Sequence, residues 1–190
     1  MINTPLSQRD SSLQGNQLGS SDLLLWDYGC VVTCFTMLVN WATSKKYRVD
    51  EVNKILVDGG AFYQSSLIWW TEIQKALPYM KFVWRGWTYE NDRVSDYVNN
   101  KKIPVIVQVD AAPIGAPRSD HYVLFIGGGK LIDPWDGKIK PVGTYPILKG
   151  YILYEIDSAK LPKEDGDYFM GIDLNNKESI KECVKTWKEV

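Results

Sequence analysis

Histidine is almost missing from this chain: among 190 residues there is one, His121, beside three cysteines, Cys30, Cys34 and Cys183. A metal centre of several imidazoles is thereby excluded, and the C-x3-C spacing of the first two cysteines has no second pair to complete a zinc site, so no metal and no cofactor are expected. An odd number of cysteines makes a poor disulfide framework, and the thiols are expected to be reduced. An excess of one charge is lacking too. The 22 basic and 23 acidic residues leave a formal net charge of −1 without long single-sign runs, so neither nucleic acid nor an acidic membrane is an expected partner. The most apolar stretch, residues 29–42, is broken by Thr33, Thr36 and Asn40 and is too short to span a bilayer. The opening Met-Ile-Asn-Thr-Pro-Leu-Ser-Gln has no basic segment leading into an apolar core, so no secretory signal is expected, and the chain reads as one made in the cytoplasm.

What remains is the composition of an ordinary globular domain, 45% hydrophobic and 24% charged, with an unusual eight tryptophans. Such a length forms one domain, or one domain with an appendage, and buries roughly 70% of its unfolded surface. Residues 1–28, rich in Ser, Gln, Asn and Gly, read as an irregular arm that only tertiary contacts can hold. From Gly29 the residues are apolar on nearly all sides, the pattern of a buried helix. Asp50 is placed to cap a short helix ending at Gly59-Gly60, and Leu67 to Leu77, before Pro78, has helical spacing. Lys81 to Arg85 is read as a strand and Asn91 to Asn100 as a helix with one apolar face.

The period then shortens. Ile103 to Val109, His121 to Ile126, Lys130 to Asp133 and Gly150 to Ile156 read as strands, the middle two joined by a hairpin at Gly127-Gly128-Gly129. Helices first and antiparallel strands afterwards is an α+β order. The main domain is expected to span residues 1–157, followed by a linker over 158–174 and an amphipathic helix over 175–190 carrying Ile180, Val184 and Trp187. That helix presents an apolar face suited to a protein partner.

Cys30 stands where the arm turns into the buried helix. The partial positive charge and unpaired N–H groups of a helix N-terminus favour a thiolate, and Gly29 is read as leaving room for a substrate backbone. The competing reading makes Cys30 one more small buried residue, as Cys34 one turn later is expected to be. Cys183 reads as structural or incidental. His121 opens an apolar strand, a position that can face a cleft, although a lone histidine is more often a hydrogen-bonded structural residue. Folding the hairpin about the three glycines brings Asp133 within a residue or two of the position opposite His121, close enough to orient an imidazole. Asp133 is equally a turn residue of Asp133-Pro134-Trp135-Asp136-Gly137. A nucleophilic thiol, a histidine to move its proton and a carboxylate to hold the histidine are what acyl-transfer chemistry requires. An amide from the arm, Gln8, Gln14 or Gln17, would complete an oxyanion site. Trp69, Trp70, Trp84, Trp87 and Trp135 are candidates for lining a groove, with core or rim packing as the alternative.

The segments Pro5-Leu-Ser-Gln8-Arg-Asp10 and Tyr28-Gly29-Cys30-Val-Val-Thr33-Cys34 resemble the opening of papain-fold Peptidase_C39-like proteins, in which a Gln-x-Asp segment precedes a Gly-Cys-x-x-Thr-Ser helix start. His121-Tyr-Val-Leu followed by Ile132-Asp133-Pro134-Trp135 is similar to that family's second half, and the resemblance covers residues 5–156. The chain departs from the family pattern at Cys34 and at Ser11-Ser12-Leu13. The resemblance implies a papain-like fold with Cys30 as nucleophile, His121 as general base, Asp133 as orienting carboxylate and Gln8 as the oxyanion amide. Gly29, Asp120 and Trp135 are the expected substrate contacts. It implies a cysteine amidohydrolase acting on peptides or on peptidoglycan, like domains found in phage lysins and phage tail proteins, virion-associated or acting on the cell wall after release. A non-catalytic wall-binding or virion module and an acyl-transferring, transglutaminase-like enzyme are the alternatives.

Overall fold

The computed structural model describes residues 4–115 and 120–162, together with the backbone of 168–169 and 172–173. It separates into two units, residues 1–160 and 161–190. In the first, helices α1 (Leu25–Tyr28), α2 (Cys30–Thr43) and α3 (Val49–Asp58) lead into a small hairpin, β1 (Phe62–Tyr63) and β2 (Leu67–Ile68), and a one-turn helix α4 (Ile73–Ala76). The remaining elements are β3 (Met80–Gly86), α5 (Asn91–Ser95), β4 (Val105–Asp110), β5 (Asp120–Gly127), β6 (Lys130–Asp133), β7 (Lys138–Pro141) and β8 (Ile147–Ile156). Six strands form one antiparallel sheet in the order β3-β8-β4-β5-β6-β7, and β1-β2 is a separate two-stranded sheet. The fold is α+β. In the second unit, Tyr168–Phe169 pairs antiparallel with Ile172–Asp173 inside the stretch expected as a linker. The expected helix over 175–190, with Cys183, lies outside the described residues.

The strand period of two divides the sheet into two apolar faces. Val105, Val107 and Val109 of β4 share one face with Val123 and Phe125 of β5, Leu131 of β6 and Tyr151 and Leu153 of β8, and this face packs against Val94, Tyr97 and Val98. Those last residues come from α5 and the π-helical turn Asp96–Asn100 that continues it. On the opposite face Ile106, Leu124, Ile132 and Ile152 are fully buried, and Phe35 of α2 meets Tyr154 of β8 edge-on at 5.2 Å. With apolar side chains around most of its circumference, α2 is a central helix and not an amphipathic one.

The arm is held as its composition demands. Leu13, Leu18 and Leu25 form a cluster with Val32 of α2 and Val49 of α3, each such burial contributing roughly 1.5–3 kcal/mol. Asn53 of α3 accepts from the Gly19 N–H at 2.9 Å and donates to the Gln17 carbonyl at 3.1 Å.

Three local readings are corrected. The start of α3 is capped at Arg48, whose backbone N–H donates to Glu51, so Asp50 lies inside the first turn. Only Ile73–Ala76 of the expected helix over 67–77 is helical. Leu67–Ile68 pairs with Phe62–Tyr63 around Gln64 and Ser65, whose φ of 48° and 67° are left-handed, because this hairpin buries Phe62 and Ile68 against the arm cluster. Strand β7 carries no strand signal in its sequence, since Lys-Ile-Lys-Pro is short and charged, and it forms a sheet edge.

Candidate active site

Helix α2 begins at Cys30, with Gly29 as its N-cap residue, and the first intrahelical hydrogen bond runs from the Thr33 N–H to the Gly29 carbonyl at 2.8 Å. The N–H groups of Cys30, Val31 and Val32 therefore have no acceptor within the helix. The α2 helix packs against β5, and Cys34 Sγ lies 3.5 Å from the Tyr122 carbonyl. Cys34 is fully buried, and burial pushes its thiol well above the ordinary range, whereas Cys30 is partly open to solvent.

The β5–β6 register places Leu124 opposite Ile132, so one further step sets Asp133 opposite Val123, two residues from His121 on the same face. That diagonal relation closes into a contact. His121 Nε2 lies 2.8 Å from Asp133 Oδ1, with both side chains almost wholly buried. Cys30 lies close enough to the imidazole to act on its charge, and with Nε2 taken by Asp133 the ring nitrogen left for a further partner is Nδ1.

Asp133 has more partners than sequence reasoning supplied. Its Oδ1 also accepts the Trp135 N–H at 2.9 Å, while Oδ2 accepts Lys140 Nζ and the Tyr145 hydroxyl, each at 2.6 Å. Burial alone would raise the pKa of this carboxyl; the hydrogen bonds from His121, Lys140 and Tyr145 win and hold it well below the usual carboxylate range. For His121, burial opposes the imidazolium, but the hydrogen bonds to Asp133 and Cys30 and their charges outweigh it and raise its pKa from 6.5 to about 9. Tyr145 stands beside the imidazole, ring centres 5.9 Å apart. No sequence motif marks Lys140 or Tyr145. Only their spacing of seven and twelve residues from Asp133, on a strand and turn that fold back past it, could have suggested them.

Gln8 is buried, at 1% exposure, where the arm crosses the Asp-Pro-Trp turn: its backbone N–H donates to the Pro134 carbonyl at 2.7 Å. Its side-chain Nε2 donates to the Trp26 carbonyl at 3.1 Å, just before the start of α2, leaving the second amide hydrogen available. Gln14 and Gln17 do not line the cleft, whereas Gln8 does.

These groups open into one cleft of about 860 Å³ whose lining includes Gln8, Cys30, His121, Asp133, Asp120 and Trp135. Trp70 and Trp87 line it too, while Trp69 packs edge-on against Tyr63 of β1 and Trp84 lies under Arg93. Gly29, expected to leave room for substrate, is buried and outside this lining. A Cβ there would sit 2.4 Å from the Leu25 carbonyl oxygen, so the glycine is required by the tight junction between α1 and α2. Among the described residues no group of three or more His, Cys, Asp or Glu side chains could hold a metal ion, and no helix is long and apolar enough to cross a membrane.

Comparison with family models, curated proteins and solved structures finds no match to this chain. The chemistry of the cleft therefore rests on its geometry.

Proposed function

We propose that this chain is a cysteine amidohydrolase with a papain-like arrangement, cleaving peptide or peptidoglycan amide bonds, of the kind carried by phage lysins and tail proteins. The observation that carries the reading is the sequence of contacts Cys30, His121, Asp133: a thiol at the start of a buried helix, an imidazole beside it, and a buried carboxylate on the far ring nitrogen. A histidine kept only for packing needs neither a thiol beside it nor a four-fold satisfied carboxylate on its Nε2.

In this reading the Cys30 proton resides on His121 Nδ1 and the sulfur attacks the carbonyl carbon of the scissile amide. The carbonyl π electrons move onto oxygen, and the resulting oxyanion is met by the free N–H of Cys30 and the spare amide hydrogen of Gln8. The tetrahedral species collapses, the C–N bond breaks, and the imidazolium gives its proton to the departing amine. Water, deprotonated by the now neutral His121, then attacks the thioester and regenerates the thiol. Asp133 stays ionised throughout and fixes the ring plane, a task for which its bonds to Lys140, Tyr145 and the Trp135 N–H make it rigid.

Hydrolysis of purified bacterial cell walls and of a peptide library by the wild type and by Cys30→Ala tests this reading. The variant is expected to lose about a thousandfold or more, since nucleophile, base and orienting group act as a unit. Equal activity in the two proteins refutes the assignment.

A further inference from the structure

The charged groups among the described residues that line the cleft are matched by opposite charges, with one exception. Arg9 pairs with Asp27 at 3.3 Å, Lys140 with Asp133 and Asp136, and Asp120 with Lys149 at 2.8 Å. Arg85, at the end of β3, has no carboxylate partner among the described residues. Its Nη1 donates to the carbonyls of Gly86 and Tyr151 at 3.3 and 3.5 Å, and its Nη2 donates to Gln108 Oε1 and, at 3.5 Å, to the Tyr122 hydroxyl oxygen. Its Nε is buried with no acceptor.

Gln108 maintains this imbalance. While its Oε1 takes the guanidinium, its Nε2 donates to Asp120 Oδ1 at 3.2 Å, so the amide stands between Arg85 and the nearest acid of the network, already neutralised by Lys149. The rings of Trp87, Trp70 and Tyr122 surround the guanidinium at 4.7, 5.8 and 5.9 Å. Aromatic faces exclude water and attract a cation, but they do not cancel its charge. A half-buried guanidinium remains ionised, and its burial without an anion is an electrostatic cost borne by the free protein.

We infer that Arg85 is the recognition point for a substrate carboxylate, and that the cleft selects acidic peptides, with a glutamate- or aspartate-type side chain near the bond that is cut. One unmatched cation suits one carboxylate, which the guanidinium fork receives in two parallel hydrogen bonds; a nucleic acid or a polyanionic surface needs several such cations. The 3.5 Å contacts to Tyr122 and Tyr151 are the ones an incoming carboxylate exchanges most readily, being the longest. Trp87, 79% exposed, offers an apolar face for the methylene groups that carry the acid. The inference rests on the amidohydrolase reading only for the presence of a scissile bond; recognition itself does not depend on catalysis.

The test uses two pools of N-acetylated, C-amidated heptapeptides, one with glutamate and one with glutamine at the central position and the other positions randomised among uncharged residues. Binding is followed by tryptophan fluorescence on the full chain carrying Cys30→Ala, so that nothing is turned over. The glutamate pool is expected to bind about tenfold more tightly, the effect of one charge-assisted contact. Arg85→Met is expected to abolish the difference, and Arg85→Lys, which keeps the charge without the fork, to retain part of it. Equal affinity for the two pools, a glutamate preference that survives in Arg85→Met, or no saturable binding of either pool overturns the inference. The comparison of the pools on the Cys30→Ala chain decides even where an Arg85 variant fails to fold. If the glutamate pool binds through Arg85 but active enzyme cuts neither the pools nor purified cell walls, the subsite stands and the amidohydrolase reading falls.

Discussion

His121 Nε2 and Asp133 Oδ1 meet at 2.8 Å across a glycine hairpin, and this single contact decides which imidazole nitrogen is left to face Cys30. With Nε2 engaged, the ring has one orientation and one free nitrogen, so proton exchange with sulfur does not have to wait for a ring flip. The same carboxylate is held by Lys140 and Tyr145, which makes the imidazole's position a property of the sheet edge as well as of the hairpin.

On the amidohydrolase reading, an alkaline limit of activity follows from the imidazolium. The hydrogen bonds and charges of Asp133 and Cys30, against the opposing effect of burial, raise the pKa of His121 to about 9. Proton donation to the leaving amine is therefore expected to fail as pH rises through about 9. Hydrolysis falls there, while alkylation of Cys30 by iodoacetamide, which needs only the sulfur, does not. A parallel fall of both rates would remove His121 from the role of acid.

Lys140 tunes this limit. Its ammonium compensates part of the Asp133 charge, so Lys140→Met leaves the imidazolium in a more negative field, and the alkaline limb of the pH profile moves upward. A purely structural lysine would lower kcat or Tm and leave the limb where it was. The pH dependence of kcat/KM in the two proteins separates these outcomes.

Gln8→Ala is expected to lower kcat about a hundredfold, the cost of one oxyanion donor, with the iodoacetamide reactivity of Cys30 preserved. The Tyr and Trp circular dichroism of the variant should match that of the wild type, because the arm keeps its backbone bond to Pro134. A variant with undiminished kcat and an intact fold would leave the oxyanion to Cys30 alone.

The stability contributed by His121 has a defined pH window. Its pKa is raised on folding, so that contribution is complete below the unfolded value of 6.5 and is lost as pH rises through about 9. The corresponding difference is on the order of 3 kcal/mol. Asp133, with a lowered pKa, contributes in the opposite sense: its share is present above 3.8 and is lost as pH falls through its depressed folded value. The Tm difference between wild type and His121→Gln is therefore expected to be largest near pH 6 and to shrink to a pH-independent remainder above about pH 9. A difference independent of pH across that range would mean that the imidazole is packed in its neutral form.

Local sequence carried much of this protein. The buried helix starting at Cys30, the β5–β6 hairpin and the nearness of Asp133 to His121 are legible because they depend on side-chain period and on three consecutive glycines, all short-range causes. So is the exclusion of an imidazole-rich metal site, which needs only a count. Tertiary structure decided what no local pattern encodes. The segment 67–77 has helical spacing, yet Leu67–Ile68 pairs with Phe62–Tyr63 in a hairpin that packs Phe62 and Ile68 against the arm. Lys140 and Tyr145 act on Asp133 only because β7 and the turn after it fold back along β6. The charge balance of the cleft, with Arg85 left unmatched, joins β3, β4, β5 and β8. Electrostatic pairing depends on distance in space, and the chain must close its sheet before any of those distances exist.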